Sequence, residues 1–209
     1  MKKSILFMIV ICTLTLLIAV GVYATRDINI LQWGQKTAQN EENLNMQNEA
    51  VAEVNGQKIS KSKFENYKAG LDQASGSFTD EEIIEKLIRQ EVMLQEIQKR
   101  GYTVTDAEVT EFNNERFDLL ESDPEAYQIV KDYIDGVGIT MDEYKEQSKE
   151  ISKTALLANK FRDDLITEYK ELNPEVLTQS AQKQNQAFED YLKQYIDDLC
   201  DAANITVMP

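Results

Sequence analysis

Carboxylates are the most abundant reactive groups in this chain: 37 Asp and Glu stand against 22 Lys and Arg, for a net charge of −15 over 209 residues. The adjacent pairs Asp163-Asp164 and Asp197-Asp198 could hold calcium from a loop of alternating oxygen ligands, or act as an acid–base couple across a cleft. Both fall inside helical patterns instead, so they read as solvated faces, as does Glu41-Glu42. There is no histidine, which removes the commonest general base and metal ligand. Cys12 lies in an apolar run, and Cys200 is the one other thiol, so neither a thiolate zinc site nor a disulfide framework is available. The eight glycines are scattered and form no phosphate loop. No catalytic, cofactor-binding or metal-binding residue is therefore expected.

Apolar and aromatic residues are the better carriers of a binding function. In the helical pattern over 106–121, Val109, Phe112, Leu119 and Leu120 share one face and Phe117 projects to its flank. Over 124–135, Tyr127, Ile129, Val130, Tyr133 and Ile134 occupy more than half the circumference, wider than one packing contact needs. Apolar groups left over from core packing are what a binding protein offers to an apolar partner. The candidate contact residues are Phe117, Tyr127, Ile129 and Tyr133. Arg116, within the apolar arc, is expected to snorkel or pair with an acidic neighbour.

The elements that must position these residues have clear sequence signals. Asn55-Gly56 between β-prone arms predicts a two-residue type I′ hairpin over Val51–Ser60, with Val54 opposite Gln57, Glu53 opposite Lys58 and Ala52 opposite Ile59. So small a hairpin needs helices to lean on. Thr79-Asp-Glu-Glu82, Thr105-Asp-Ala-Glu108 and Thr140-Met-Asp-Glu143 are capping boxes, and Asp123-Pro124 and Asn173-Pro174 are cap-plus-proline starts. With Gly101 and Gly136 as stops, helices are predicted over 61–74, 80–100, 106–121, 124–135, 141–171 and 174–203. The 80–100 helix is apolar on several sides and reads as central. Ile205-Thr206-Val207 is a short strand whose natural place is the open edge of the hairpin.

Lys2-Lys3 followed by a weakly polar or apolar run from Ser4 to Ala24, about 31 Å long as a helix, reads as a signal peptide or N-terminal membrane anchor over residues 1–24. Val22-Tyr23-Ala24 fits a cleavage site, whereas Ile9-Val10-Ile11 before Cys12 lacks the small residue that a lipid-modified cysteine requires. Either fate puts the remainder outside the cytoplasm. Residues 25–50 are rich in Asn and Gln with weak apolar periodicity and read as a polar tether or frayed helix; Trp33 there suits either an interfacial anchor or a loop docked on the domain. Residues 51–209 form the folded domain. Phosphate backbones and anionic headgroups repel so acidic a chain, which excludes nucleic acid as a partner.

Three stretches in order, Ala52-Glu-Val-Asn-Gly-Gln-Lys-Ile-Ser60, Glu85-Lys-Leu-Ile-Arg-Gln-Glu-Val-Met-Leu94 and Gly101-Tyr-Thr-Val-Thr-Asp-Ala-Glu-Val109, resemble the PrsA/SurA family of extracytoplasmic folding factors. Gly138-Ile-Thr-Met-Asp-Glu-Tyr144 and Ala202-Ala-Asn-Ile-Thr-Val207 agree with it. The resemblance implies a mainly α fold: a multi-helical SurA N-terminal-like chaperone domain with a small β-hairpin and a C-terminal strand, working in a bacterial cell envelope. It also implies that the partners are unfolded or partly folded exported proteins, with the membrane as a further contact if the N-terminal segment is uncleaved. Family members often carry a parvulin-type prolyl isomerase between the long helix and the closing helix. Here only Leu172–Gln184 fills that place, against on the order of 100 residues for a folded insert. The expected function is a non-catalytic holdase. The alternatives are a peptidyl-prolyl cis-trans isomerase of the PrsA/SurA type and a membrane-tethered adaptor for one dedicated partner.

Overall fold

The computed structural model describes residues 29–74 and 78–208. The fold is mainly α. Helices α1 (Ile30–Glu42) and α2 (Leu44–Asn48) lead into strands β1 (Ala50–Val54) and β2 (Gln57–Ser60). Helices α3 (Lys61–Ala74), α4 (Asp80–Lys99), α5 (Asp106–Ser122), α6 (Pro124–Val137) and α7 (Met141–Leu172) follow. A 3-10 turn at Pro174–Thr178, helix α8 (Ala181–Ala202) and strand β3 (Ile205–Val207) close the chain. Among the described residues no helix is long and apolar enough to cross a membrane. The expected signal or anchor, residues 1–24, lies outside the described residues.

The three capping boxes form as the sequence predicts: Thr79, Thr105 and Thr140 each accept from the backbone of Glu82, Glu108 and Glu143, whose carboxylates reach back to the cap. Such caps contribute about 1 kcal/mol each. The hairpin turns through Asn55 (φ 51°) and Gly56 (φ 87°), the two left-handed residues of a type I′ turn. Its register matches the expected pairs, and β3 joins β1 to give the antiparallel order β2-β1-β3. Asn55 binds three elements at once. Its backbone N–H donates to Asn204 O, its Oδ1 accepts from the Asn204 N–H, and its Nδ2 donates to Gln95 Oε1 of α4, each at 2.8 Å. The sheet face carrying Ala52, Val54 and Ile59 is buried on Ile83, Leu87 and Ile88 of α4. Further along, Ile97 of the same helix packs with Phe161, Leu165 and Phe188 of α7 and α8. Helix α4 is thus the central element.

Three expectations need correction. In the described part of the 25–50 tether, residues 30–42 are a packed helix, capped by the Asn29 side chain on the Gln32 N–H at 2.9 Å. Its buried stripe is Ile30, Trp33, Gly34, Thr37 and Asn40, so small and polar residues hide the helical period from an apolar count. Gly136 is not a stop: α6 runs on to Val137 and ends at Gly138, which takes φ 81°. Gly136 instead faces Gly34. A Cβ on Gly136 would lie 2.1 Å from the Leu31 carbonyl oxygen, and one on Gly34 would lie 2.2 Å from that of Tyr133. Finally, the expected helix over 174–203 is broken. Buried Val176 pins a 3-10 turn, Gln179 and Ser180 are extended, and the helix restarts at Ala181.

Glycine-to-alanine in a helix interior ordinarily stabilises by up to about 1 kcal/mol. Gly136→Ala is expected to do the reverse, destabilising by about 1–3 kcal/mol in urea unfolding, because the methyl group meets the α1 backbone. A stabilised variant would show that α1 does not pack there.

Candidate functional site

Helices α5, α6 and the first half of α7 form the layer that carries the four candidate contact residues. Phe117 is 5% exposed, edge-to-face with Tyr144 at 5.9 Å, and the Lys145 ammonium sits 5.2 Å from its ring centre. Tyr133 is fully buried, 4.9 Å from the ring of Trp33 on α1. Both belong to one apolar cluster with Ile30, Val130, Ile134 and Ile151. Tyr127 and Ile129 are half-buried, and Ile129 packs on the rim of that cluster. The structure therefore brings Phe117 and Tyr133 together inside the domain and leaves Tyr127 and Ile129 with part of their surface in solvent.

The buried face of α5 is rotated from the expected one. Val109, Asn113 and Phe117 point inward, while Leu119 is 70% exposed. Asn113 decides this: its Nδ2 donates to Lys145 O at 2.9 Å, and its Oδ1 accepts from Ser152 Oγ at 2.8 Å. A satisfied amide is tolerated in a core, yet an apolar count skips it. Arg116 donates to Ser152 Oγ at 3.4 Å and lies half-buried 5.8 Å from the Phe112 ring, which fits the snorkelling side of its expectation rather than the acidic pair.

Two polar clusters lock the helices together. At the α1–α3 contact, Asn40 Nδ2 donates to Asn66 Oδ1 at 2.8 Å, and Glu41 accepts from Ser62 Oγ at 3.3 Å and from Asn66 Nδ2. Burial pushes the Glu41 carboxyl up to about 7, against the lowering effect of those two hydrogen bonds. The expectation that Glu41 is a solvated face is corrected here; Glu41 meets α3 across a pairing that sequence spacing does not reveal. At the α4–α7–α8 junction, buried Glu96 accepts from Arg100 Nε at 3.0 Å, Lys99 at 3.1 Å and the Tyr195 hydroxyl at 3.1 Å. Burial alone would raise Glu96, but these donors outweigh it and hold the carboxyl below its usual range. Arg100 continues to Glu168 at 2.9 Å and lies 5.4 Å from the Phe161 ring.

A family model described as SurA-like N-terminal domain matches residues 1–155. The chain belongs to this family. No curated protein and no solved structure matches it. The SurA-like domain is a chaperone-type module of folding factors, and the match ends within α7. Beyond it, α8 and β3 pack back on α4 and β1 and complete the core that the matched part begins. In this chain the acidic pairs, which lie beyond the matched residues, make intramolecular contacts: Asp164 accepts from the Tyr102 hydroxyl at 2.7 Å, Asp197 pairs with Arg89, and Asp198 accepts from Gln194 at 2.8 Å. Among the described residues no group of three or more His, Cys, Asp or Glu is placed to hold a metal ion. The connection from α7 to α8 consists of the 3-10 turn and its flanking residues.

Two outcomes follow from this packing. Phe117→Ser is expected to cost about 3–5 kcal/mol in chemical unfolding, whereas Tyr127→Ser stays within about 1 kcal/mol. Equal effects would contradict the burial difference. Because the Glu41 carboxyl is raised from 4.5 to about 7, the folded chain holds that proton more tightly than the unfolded one. Its stabilisation is fully present below about pH 4.5 and lost as pH rises through about 7. Glu41→Gln is expected to flatten the stability profile between those limits and raise stability at pH 8. An unchanged slope in melting temperatures across that range would rule it out.

Proposed function

We propose that this SurA-like chain is an ATP-independent holdase that works outside the cytoplasm on unfolded or partly folded exported proteins. Residues 1–24 would serve as export signal or anchor, and no catalytic step is involved. The observation that carries the reading is the set of large apolar side chains left in solvent on a strongly acidic surface. Leu44, Leu119, Leu172 and Leu177 are each more than half exposed, and Tyr127, Ile129 and Leu31 add partial surface. A single exposed leucine is ordinary in a folded protein. Here the exposed leucines sit on several elements, in a family of folding factors, which suits many weak contacts with a flexible client.

The energetics agree with capture and release. An apolar side chain fully buried against a client contributes roughly 1.5–3 kcal/mol, and a few of them, less the cost of ordering, give micromolar binding. A net charge of −15 keeps a loaded complex soluble and away from anionic lipid. Client contact falls on Tyr127 and Ile129, while Tyr133, packed on Trp33 of α1, and Phe117, packed on Tyr144 of α7, lie inside the domain.

The full chain is expected to suppress light scattering of a refolding client without ATP at a few-fold molar excess. Leu119→Ser combined with Tyr127→Ser is expected to weaken that protection while leaving the melting temperature nearly unchanged. No suppression by the wild type would contradict the holdase reading and favour a dedicated-partner adaptor.

A further inference from the structure

A groove of about 500 Å³ runs along β3, between the first half of α4 and the last turns of α8. Its floor is apolar: Ile84 and Ile88 from α4, Cys200 from α8, and Ile205 and Val207 from the strand. One wall is the edge of the sheet, since among the described residues β3 has a neighbour only in β1. Antiparallel strands bond through alternate residues. The Asn55 N–H bonds Asn204 O and the Met208 N–H bonds Val51 O, which puts Thr206 in bonding register with Glu53. The amide and carbonyl groups of Ile205 and Val207 therefore point away from β1. Their side chains, opposite buried Val54 and Ala52, lie on the groove face. Donors and acceptors two residues apart beside an apolar floor are what an added strand uses, with backbone bonds for affinity and alternate side chains for fit.

The rim names the chemistry of the occupant. Glu81, Glu85, Asp197 and Asp201 surround the groove against one cation, Arg89. Arg89 is itself paired with Asp197 and lies 4.0 Å from Glu85. The surplus of negative charge draws a basic chain and repels an acidic one. Val207 is 54% exposed and its half of the floor is open to such a chain. We propose that this groove takes an extended, lysine- or arginine-flanked segment of an unfolded protein as a fourth strand beside β3, seating alternate apolar side chains on Ile84, Ile88 and Cys200. The inference rests on the holdase reading and deepens it, by giving one client segment a defined place and a defined chemistry.

Binding to the full chain is measured by fluorescence anisotropy, with a labelled short peptide that alternates valine and threonine between paired lysines. Methylating its alternate backbone nitrogens, which blocks strand pairing without changing charge, is expected to weaken binding by at least about tenfold. Val207→Pro removes an outward N–H and spares the ladder to β1, and is expected to weaken binding similarly. Glutamate flanks on the peptide, or Glu85→Lys in the protein, are expected to weaken it at low salt, with the difference shrinking as salt rises. The N-methylated arm needs no protein variant and decides the matter even if Val207→Pro fails to fold. Equal binding of the methylated peptide would overturn the proposal. So would a dimer of the chain that Val207→Pro dissociates and the peptide does not displace, because a second copy would then own the edge. Client protection by the wild type without peptide binding would overturn the groove alone, whereas absence of both would overturn the groove and the holdase reading together.

Discussion

The backbones of α1 and α6 meet at Gly34 and Gly136 with no room for a methyl group on either side. Helix axes normally keep 8–10 Å apart because side chains hold them there, and two facing glycines remove that spacer. The close approach lets Trp33 reach Tyr133 and sets Thr37 and Asn40 into the interior. It also decides which apolar residues of α6 keep exposed surface. With α1 in place, Tyr133 and Ile134 are core, and Tyr127 and Ile129 keep part of their surface. Without it, the apolar residues of α6 that pack on Ile30 and Trp33 would lose that cover.

The polar interior follows from the same arrangement. Asn40 and Glu41 reach Asn66 and Ser62 only because α1 lies along α3, and Glu41 is half-desolvated as a result. At the opposite end, Glu96 joins α4 to α8 through Tyr195, and Arg100 extends the link to α7 through Glu168. Buried polar groups of this kind fix register rather than add much net stability. The strand edge is held in the same way: Asn55 ties the hairpin, the central helix and the start of β3 through one side chain and its backbone.

What could be read from the sequence was the part with local rules. The capping boxes, the type I′ turn, its register and the place of the last strand all depend on a few neighbouring residues, and each formed as expected. The central role of the 80–100 helix was legible from its several apolar faces. The missed features depend on partners distant in sequence. Helix α1 was hidden because its buried stripe uses Gly34, Thr37 and Asn40 where a helix usually shows leucine. Gly136 resembled a terminator until Gly34 stood opposite it, and the inward face of α5 was misplaced because Asn113 holds a core position through Lys145 and Ser152. Of the site, Tyr127 and Ile129 keep exposed surface, while the exposure of Leu119 and the groove beside β3 carry no sequence signal of their own.

Native-state amide hydrogen exchange on the full chain tests the docking of α1 most directly, because it reads the opening free energy of each helix separately. The account predicts that the amides of Trp33–Asn40 open with the same free energy as those of Val130–Ile134, as one cooperative unit. Near-unprotected exchange in Trp33–Asn40, beside full protection of Ile83–Val92, would contradict it and return residues 25–50 to the role of a tether.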